Sequence, residues 1–370
     1  MATSRIAIIG GGPGGLMLAR LLQSRGVAAT VFERDPHAAY RPQGGSLDLH
    51  AETGQRALRL AGLEAEFLAH ARPEDQGDRL YNPSGALLFD HTGGFERPEI
   101  DRTALRAILL NALDDGVVRW NANVREIRTR DDGAFEIAVE DGVDTVDIIV
   151  GADGAWSRVR PLLSSAVPKY EGVVFVELVF DERKHAFAAD LAGGGKMFAV
   201  GENCALVAQR NANGIIRGYA GWRLAEAAAH DLAAQSEHHV RAAMANVFAG
   251  WAPKLFAMTE QGQFVGVRPL YALPVGHRWE SRQSLTLLGD AAHLMSPFAG
   301  EGVNQALADA ADLADALSSG EGWAAVTRAE ALIAARAEEA AADSAKGLRA
   351  VFSSQGVGPV LDHYRSRGAV

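Results

Sequence analysis

Six residues near the N-terminus, Gly10-Gly11-Gly12-Pro13-Gly14-Gly15, carry the spacing G-x-G-x-x-G at Gly10, Gly12 and Gly15. That spacing suits one task, the close approach of backbone to a pyrophosphate. Gly10 permits the tight turn, Gly12 lets the backbone reach the anion, and Gly15 lets a helix pack closely on a strand. A helix starting at Pro13-Gly14 would turn free N–H groups and partial positive charge toward that anion. Glu33 lies 18 residues beyond Gly15, where a carboxylate can accept hydrogen bonds from a ribose diol. An acid there admits NAD or FAD and disfavours a 2′-phosphate. Taken alone, the glycine spacing also fits a turn that binds nothing.

Two further motifs end predicted strands. Gly151-Ala152-Asp153-Gly154 places an acid between glycines, with a helix expected to follow. By itself it is an ordinary Asp-Gly turn. Leu287-Leu288-Gly289-Asp290 then leads through Ala291-Ala292-His293 to Pro297-Phe298-Ala299-Gly300-Glu301-Gly302-Val303-Asn304. Asp290 could accept hydrogen bonds from a polyol such as ribityl hydroxyls. A helix starting near Gly302 would aim its positive end at a flavin's N1–C2=O edge, where negative charge gathers on reduction.

The elements that must hold these motifs follow from the pattern. Ile6–Ile9 is a short apolar run, as in a strand buried on both faces. Leu16, Leu18, Ala19, Leu21 and Leu22 suit a helix packed on a sheet, and Ala29–Phe32 a second strand. Together they make a βαβ unit. Asp101 can cap a helix over Arg102–Leu113. Phe135–Val139 and Val143–Val150 are expected as strands around an Asp141-Gly142 turn. Residues 170–222 alternate β-like runs with Gly/Asn turns, as in an antiparallel sheet inserted into an α/β unit. Residues 224–250 are expected to be helical, and so is the Ala-rich chain from Val303 to about Ala350, with a break near Ser318–Gly322.

Composition removes other classes. The 370 residues carry a net charge of −10 and no basic stripe, which argues against nucleic acid as a partner. A single cysteine, Cys204, excludes an intramolecular disulfide framework and multi-cysteine metal sites, and fits a reducing cytoplasm. No metal site is expected: His238 and His239 point to different sides of a helix. No apolar run approaches the ~18 residues a membrane span needs, and the N-terminus does not read as a signal peptide. Cys204, Trp156 and Trp222 are expected as packing or rim residues. Of 40 glycines, about 14 exceed average usage. Twelve fall in the segments that concern a cofactor.

The three motifs, in this order, resemble the single-component (class A) FAD-dependent aromatic hydroxylases of the para-hydroxybenzoate hydroxylase fold. Gly44-Gly45-Ser46-Leu47-Asp48-Leu49-His50, Pro98-Glu99-Ile100-Asp101-Arg102, Leu105 to Leu110 and Gly289 to Asn304 extend the resemblance to the tetracycline-inactivating monooxygenases of the TetX type. It covers roughly residues 5–320. It implies an α/β fold: a Rossmann-like FAD-binding domain over residues 1–75, 98–168 and 275–320. A β-rich substrate domain would take residues 76–97 and 169–274, and a C-terminal bridging helix and tail residues 321–370. It implies FAD held by Gly10, Gly12, Pro13, Gly14, Gly15, Glu33, Asp48, Arg106, Asp153, Gly289, Asp290, Pro297, Gly300, Gly302 and Val303. Arg34 would lie near the adenine and Arg41 near NADPH. His50, His293, Pro297 and Gly302 would line the flavin pocket.

The resemblance also implies the reaction. NADPH would reduce FAD, reduced flavin would take up O2 as a C4a-hydroperoxide, and its outer oxygen would pass to an aromatic or polycyclic phenol or enol. The flavin does the difficult chemistry, so no protein nucleophile is expected. Where TetX-type enzymes carry Gln and Arg against the drug, this chain has Glu177 and Lys196, with Arg217 loosely at the place of a His. Glu177, Lys196, Arg217, His50 and Phe298 are the expected substrate contacts. A soluble cytoplasmic monomer is expected. Two other functions stay open: a flavin dehydrogenase or reductase on the same fold, and a non-catalytic flavin- or drug-binding protein.

Overall fold

The structure, a computed structural model, describes residues 4–41, 44–94 and 96–366. Ile6–Ile9 is the middle strand of a five-stranded sheet in the order Leu285–Leu287, Ile148–Gly151, Ile6–Ile9, Ala29–Phe32, Val118–Arg119. All four pairings are parallel. Successive side chains leave opposite faces of a strand. Ile6, Ile8, Val31 and Val150 therefore enter one core, beneath the helices Pro13–Ser24, Arg102–Asn111 and Gly302–Ser318. Ala7, Ile9, Phe32 and Ile149 enter a second core. It is closed by an antiparallel meander of Glu126–Thr129, Phe135–Val139 and Gly142–Val146. Burial on both faces is why Ile6–Ile9 shows no polar alternation.

Two expectations are corrected here. The single strand expected over Val143–Val150 is two, Gly142–Val146 in the meander and Ile148–Gly151 in the parallel sheet. Asp147 marks the change, with its carboxylate on the Arg5 backbone N–H at 2.7 Å and the Arg5 guanidinium at 2.8 Å. No α-helix follows Gly154, only a 3-10 turn at Arg160–Leu162. Side-chain oxygens take the N–H groups a helix would need. Asp153 accepts from Arg158 N at 2.7 Å, and Ser157 accepts from Arg160 N at 2.9 Å.

The second large sheet has seven strands in the order Gln263–Ala272, Lys169–Asp181, Ile215–Arg223, Cys204–Arg210, Gly195–Gly201, Gly77–Tyr81, Leu87–His91. All neighbours are antiparallel except Gly195–Gly201 with Gly77–Tyr81. Val174, Val176, Leu178 and Phe180 pack under helices on the outer face. Val173 and Phe175 face inward, with Leu348, Val351 and Phe352. Cys204 is buried and its thiol is pushed up to about 11 by that burial, so it is a packing residue. Trp222 is buried, whereas Trp156 is 65% exposed. A two-stranded antiparallel ribbon, Ser46–Asp48 with Glu99–Asp101, lies apart from both large sheets.

The helix Trp323–Val351 links the two halves. Ala325, Ala329 and Ile333 join the core of the parallel sheet, while Leu348 and Val351 join that of the seven-stranded sheet. Its 29 residues span about 43 Å. A buried charge fastens it. Asp309, fully buried on Gly302–Ser318, accepts from His293 and from Gly289 N at 2.9 Å, and pairs with Arg336 at 2.7 Å. Burial alone would push Asp309 up, but His293 and Arg336 outweigh it and hold the carboxyl below its ordinary range. Asp309→Ala leaves the buried His293 without its counter-ion, while Arg336 keeps Asp312 at 2.7 Å, so urea denaturation should show a loss of about 3 kcal/mol. A loss below 1 kcal/mol would exclude this role.

Candidate active site

The three motifs converge at the carboxyl ends of three adjacent parallel strands. A Cβ built on Gly10 would lie 2.3 Å from Ala152 O, so the first two loops touch through backbone. A Cβ on Gly14 would lie 2.7 Å from the Leu288 side chain, which brings in the third. Gly15 is held against Gly10 O, where a Cβ would sit at 2.1 Å. Gly12 is different, because a Cβ there meets nothing within 4 Å. The open face thus lies at the N-terminus of Pro13–Ser24, where no side chain caps the first N–H groups. Asp290 is exposed on the same side of the sheet, 4.0 Å from a Cβ built on Gly302. An open glycine, uncapped N–H groups, a carboxylate and a second helix N-terminus at Gly302 fit the pyrophosphate, ribityl chain and flavin ring of FAD.

Glu33 ends Ala29–Phe32, buried beside the glycine loop. Its carboxylate accepts from Gly11 N at 2.7 Å and Asp35 N at 2.9 Å, so it shapes that loop. Arg106, also buried, donates to Gly11 O at 3.4 Å and Ala38 O at 2.6 Å, and lies 5.4 Å over the Trp120 ring. Arg34 is exposed, and Arg41 reaches back to Asp35 at 2.9 Å. Asp153 spends one oxygen on Arg158 and Val159 N–H groups, and burial raises its pKa. Arg160 links the second and third motifs, donating to Ala155 O at 2.7 Å and Ala291 O at 3.1 Å. It stands in the quoted motif, but nothing in its spacing distinguishes it from Arg158.

The ribbon meets the loop before Gly302–Ser318. Asn304 is the joint, with Oδ1 accepting from His50 N at 2.9 Å and Nδ2 donating to Asp48 O at 2.9 Å and Gly300 O at 3.0 Å. Gly300, at φ +68°, packs where a Cβ would lie 2.9 Å from Asp48 Oδ1. Gly289 also needs its positive φ, +58°, to turn the strand into Asp290. Pro297 is exposed and Val303 is buried at the helix start. His293 is committed to Asp309 in the core, rather than lining an open pocket.

Glu177, Lys196 and Arg217 share the inner face of the seven-stranded sheet. Glu177 is buried between two arginines, bonded to Arg217 and 3.3 Å from Arg268 Nε. Lys196 lies 3.7 Å from Asp78, whose charge raises its pKa. Phe298, from the flavin-side loop, sits 6.1 Å from Phe175 and 5.7 Å from Phe352, ring to ring. His50 stands instead at the ribbon end. Gln209 lies between Lys196 and Arg217 in register, and its amide holds both oxygens of Glu99 at 3.1 Å. Burial pushes Glu99 up to about 7. Sequence patterning does not point to Gln209, Glu99 as an acid or Asn304 as a joint, because each role depends on contacts with a distant segment.

This fold and site define a class A flavin monooxygenase. The chain belongs to the family described as FAD binding domain, whose model matches residues 3–344. Monooxygenase asqM of Emericella nidulans is 33% identical, over 85% of this chain and 83% of its own length. The 2,6-dihydroxypyridine-3-hydroxylase of Arthrobacter nicotinovorans superposes with a TM-score of 0.83, at 16% identity over 95% of this chain and 93% of its own. Tetracycline destructase Tet(51) superposes with a TM-score of 0.74, at 21% identity over 99% and 95%. The protein is a flavoprotein monooxygenase that binds FAD. Among the described residues no helix is long and apolar enough to cross a membrane.

Two outcomes follow from this geometry. Gly12→Ala should weaken FAD binding at least 10-fold, by fluorescence titration, and leave the apoprotein Tm within about 1 °C, since its Cβ meets no protein atom. Gly15→Ala should lower the apoprotein Tm itself; equal Tm values would contradict the assignment. Glu99 binds its proton more tightly folded than unfolded. Its contribution is therefore full below about pH 4.5 and is lost as pH rises to about 7, by up to about 3 kcal/mol. Glu99→Gln should flatten that part of the urea-midpoint profile, and an unchanged slope would refute the shift.

Proposed function

We propose that the protein uses NADPH to drive transfer of one oxygen atom from O2 to a phenol or enol carbon of an aromatic or polycyclic substrate, with tetracycline-like molecules as candidates. The balance is substrate, O2, NADPH and a proton giving hydroxylated product, water and NADP+. The observation that carries the proposal is a meeting of surfaces. Phe298, from the loop leading to Gly302, lies against Phe175 of the seven-stranded sheet. A Cβ on Gly45, just before the ribbon, would lie 3.2 Å from Arg217 Cδ. An aromatic wall and a cationic edge thus adjoin the segments that suit the flavin.

In this proposal Gly12 and the N-terminus of Pro13–Ser24 hold the pyrophosphate, Glu33 the ribose and Asp290 the ribityl chain. Bound FAD supplies the two-electron carrier and the activation of O2. Arg217 and Lys196 receive an ionised or enolic oxygen of the substrate. Each is already partly neutralised, by Glu177 and Asp78, so the edge holds an anion without an isolated buried charge. Tyr219 and Phe298, backed by the core rings of Phe175 and Phe352, supply apolar surface that excludes water and orients a flat substrate. Support for a polycyclic substrate comes from the superposition on Tet(51), a tetracycline destructase. Glu177 and Lys196, in place of the Gln and Arg of TetX-type enzymes, favour a different pattern of oxygens on the ring edge.

The test is a screen of polycyclic phenols, tetracyclines included, against the purified yellow protein. It reads substrate-stimulated NADPH oxidation, O2 uptake and a product heavier by one oxygen from 18O2. NADPH oxidation without oxygen incorporation would mark a dehydrogenase or reductase, and ligand binding without turnover a carrier. With a substrate in hand, Arg217→Ala should raise KM roughly 10-fold or more, since a hydrogen bond to a charged group contributes about 1.5–3 kcal/mol. An unchanged KM would remove Arg217 from the substrate site.

A further inference from the structure

His50 makes more polar contacts than a pocket wall requires. Its ring is wedged between two carboxylates, with Nε2 3.3 Å from Asp48 and Nδ1 3.2 Å from Glu301. The side chain is only 12% exposed. With an acceptor at each nitrogen, the doubly protonated ring satisfies both contacts. Burial opposes that charge, but the hydrogen bonds to Asp48 and Glu301 outweigh it and raise His50 to about 9. The partners move the other way. Burial would push both carboxyls up, yet the bond from His50 keeps each below its ordinary range. Lys196 acts on Asp48 from the sheet, and Arg97 acts on Glu301 from the segment before the ribbon.

The place of this triad gives it a consequence. Glu301 is the N-cap residue of Gly302–Ser318, the helix whose positive end suits a flavin. Asp48 packs against Gly300, the residue just before Glu301. Two carboxylates there would offset the roughly half charge of a helix N-terminus and oppose the negative charge that reduction places on the ring. One imidazolium leaves a net charge of −1 in the triad instead of −2. We infer that His50 is a positioning residue that sets the charge at this helix end, and so raises the reduction potential of bound FAD. The inference rests on FAD lying at this site, and not on the proposed substrate or reductant.

The test uses the holoenzyme with no substrate and no NADPH: the midpoint potential of bound FAD, measured by dye-coupled reduction. His50→Gln should lower the potential by an amount equal to at least a 10-fold change in the reduction equilibrium, about 30 mV for two electrons. Glu301→Gln removes a negative charge and should raise it. Opposite signs are the signature of charge, because a purely structural role would move both variants alike. The wild-type potential should also fall additionally as pH rises through about 9, and the His50→Gln potential should not. Shifts of the same sign, or none, overturn the inference. If His50→Gln does not retain FAD, Glu301→Gln decides alone: a rise supports the inference, and no rise defeats it. These outcomes are independent of whether any phenol is hydroxylated.

Discussion

The backbone of Gly10 lies so close to Ala152 that a single added carbon would sit 2.3 Å from the carbonyl oxygen. Gly15 is closer still to Gly10, at 2.1 Å. Everything at the cofactor end depends on this absence of side chains. It lets the Pro13–Ser24 helix descend onto the sheet and brings the loops after Ile6–Ile9 and Ile148–Gly151 into contact. With bulkier residues the loops would separate, and Gly12, Asp290 and Gly302 would not border one opening. Steric exclusion at two glycines thus creates room at a third.

Charge is handled by pairing. Asp309, Glu177 and His50 are buried or nearly so, and each faces two groups of opposite sign or two hydrogen-bonding partners. Breaking such pairs is costly, so each one locks two elements together. Asp309 joins the third motif to the long bridging helix. Glu177 joins three strands of the large sheet. His50 joins the ribbon to the helix that starts at Gly302. At Glu99 burial outweighs the partners, and its pKa is raised to about 7.

The parallel sheet was legible from residue types because its signals are local. An apolar run, glycines at set spacing and an acid at the next strand end lie within 35 residues of one another. The split at Asp147 was not, since continuous β-favouring residues do not say which sheet a strand joins. That depended on Arg5, distant in sequence and adjacent in space. The missing helix after Gly154 has a related cause. Asp153 and Ser157 favour helix starts and tight turns alike, and here their oxygens close a turn. The expected substrate contacts were nameable only as strand positions. Their partners, Asp78 for Lys196 and Arg268 for Glu177, come from strands far along the chain.

By itself the sequence pointed to the cofactor class, to three glycine-bearing loops and to the strand–helix–strand order around the first of them. It could do so because phosphate binding needs backbone freedom, and glycine is the residue that supplies it at any depth in a fold. Only the tertiary structure decided what the charged side chains are for. His50, expected as a substrate contact, lies between two carboxylates, Asp48 and Glu301. Glu177 changed from an open acceptor to a buried counter-ion. A charge takes its role from whatever lies within a few ångströms, and those neighbours are set by packing rather than by position along the chain.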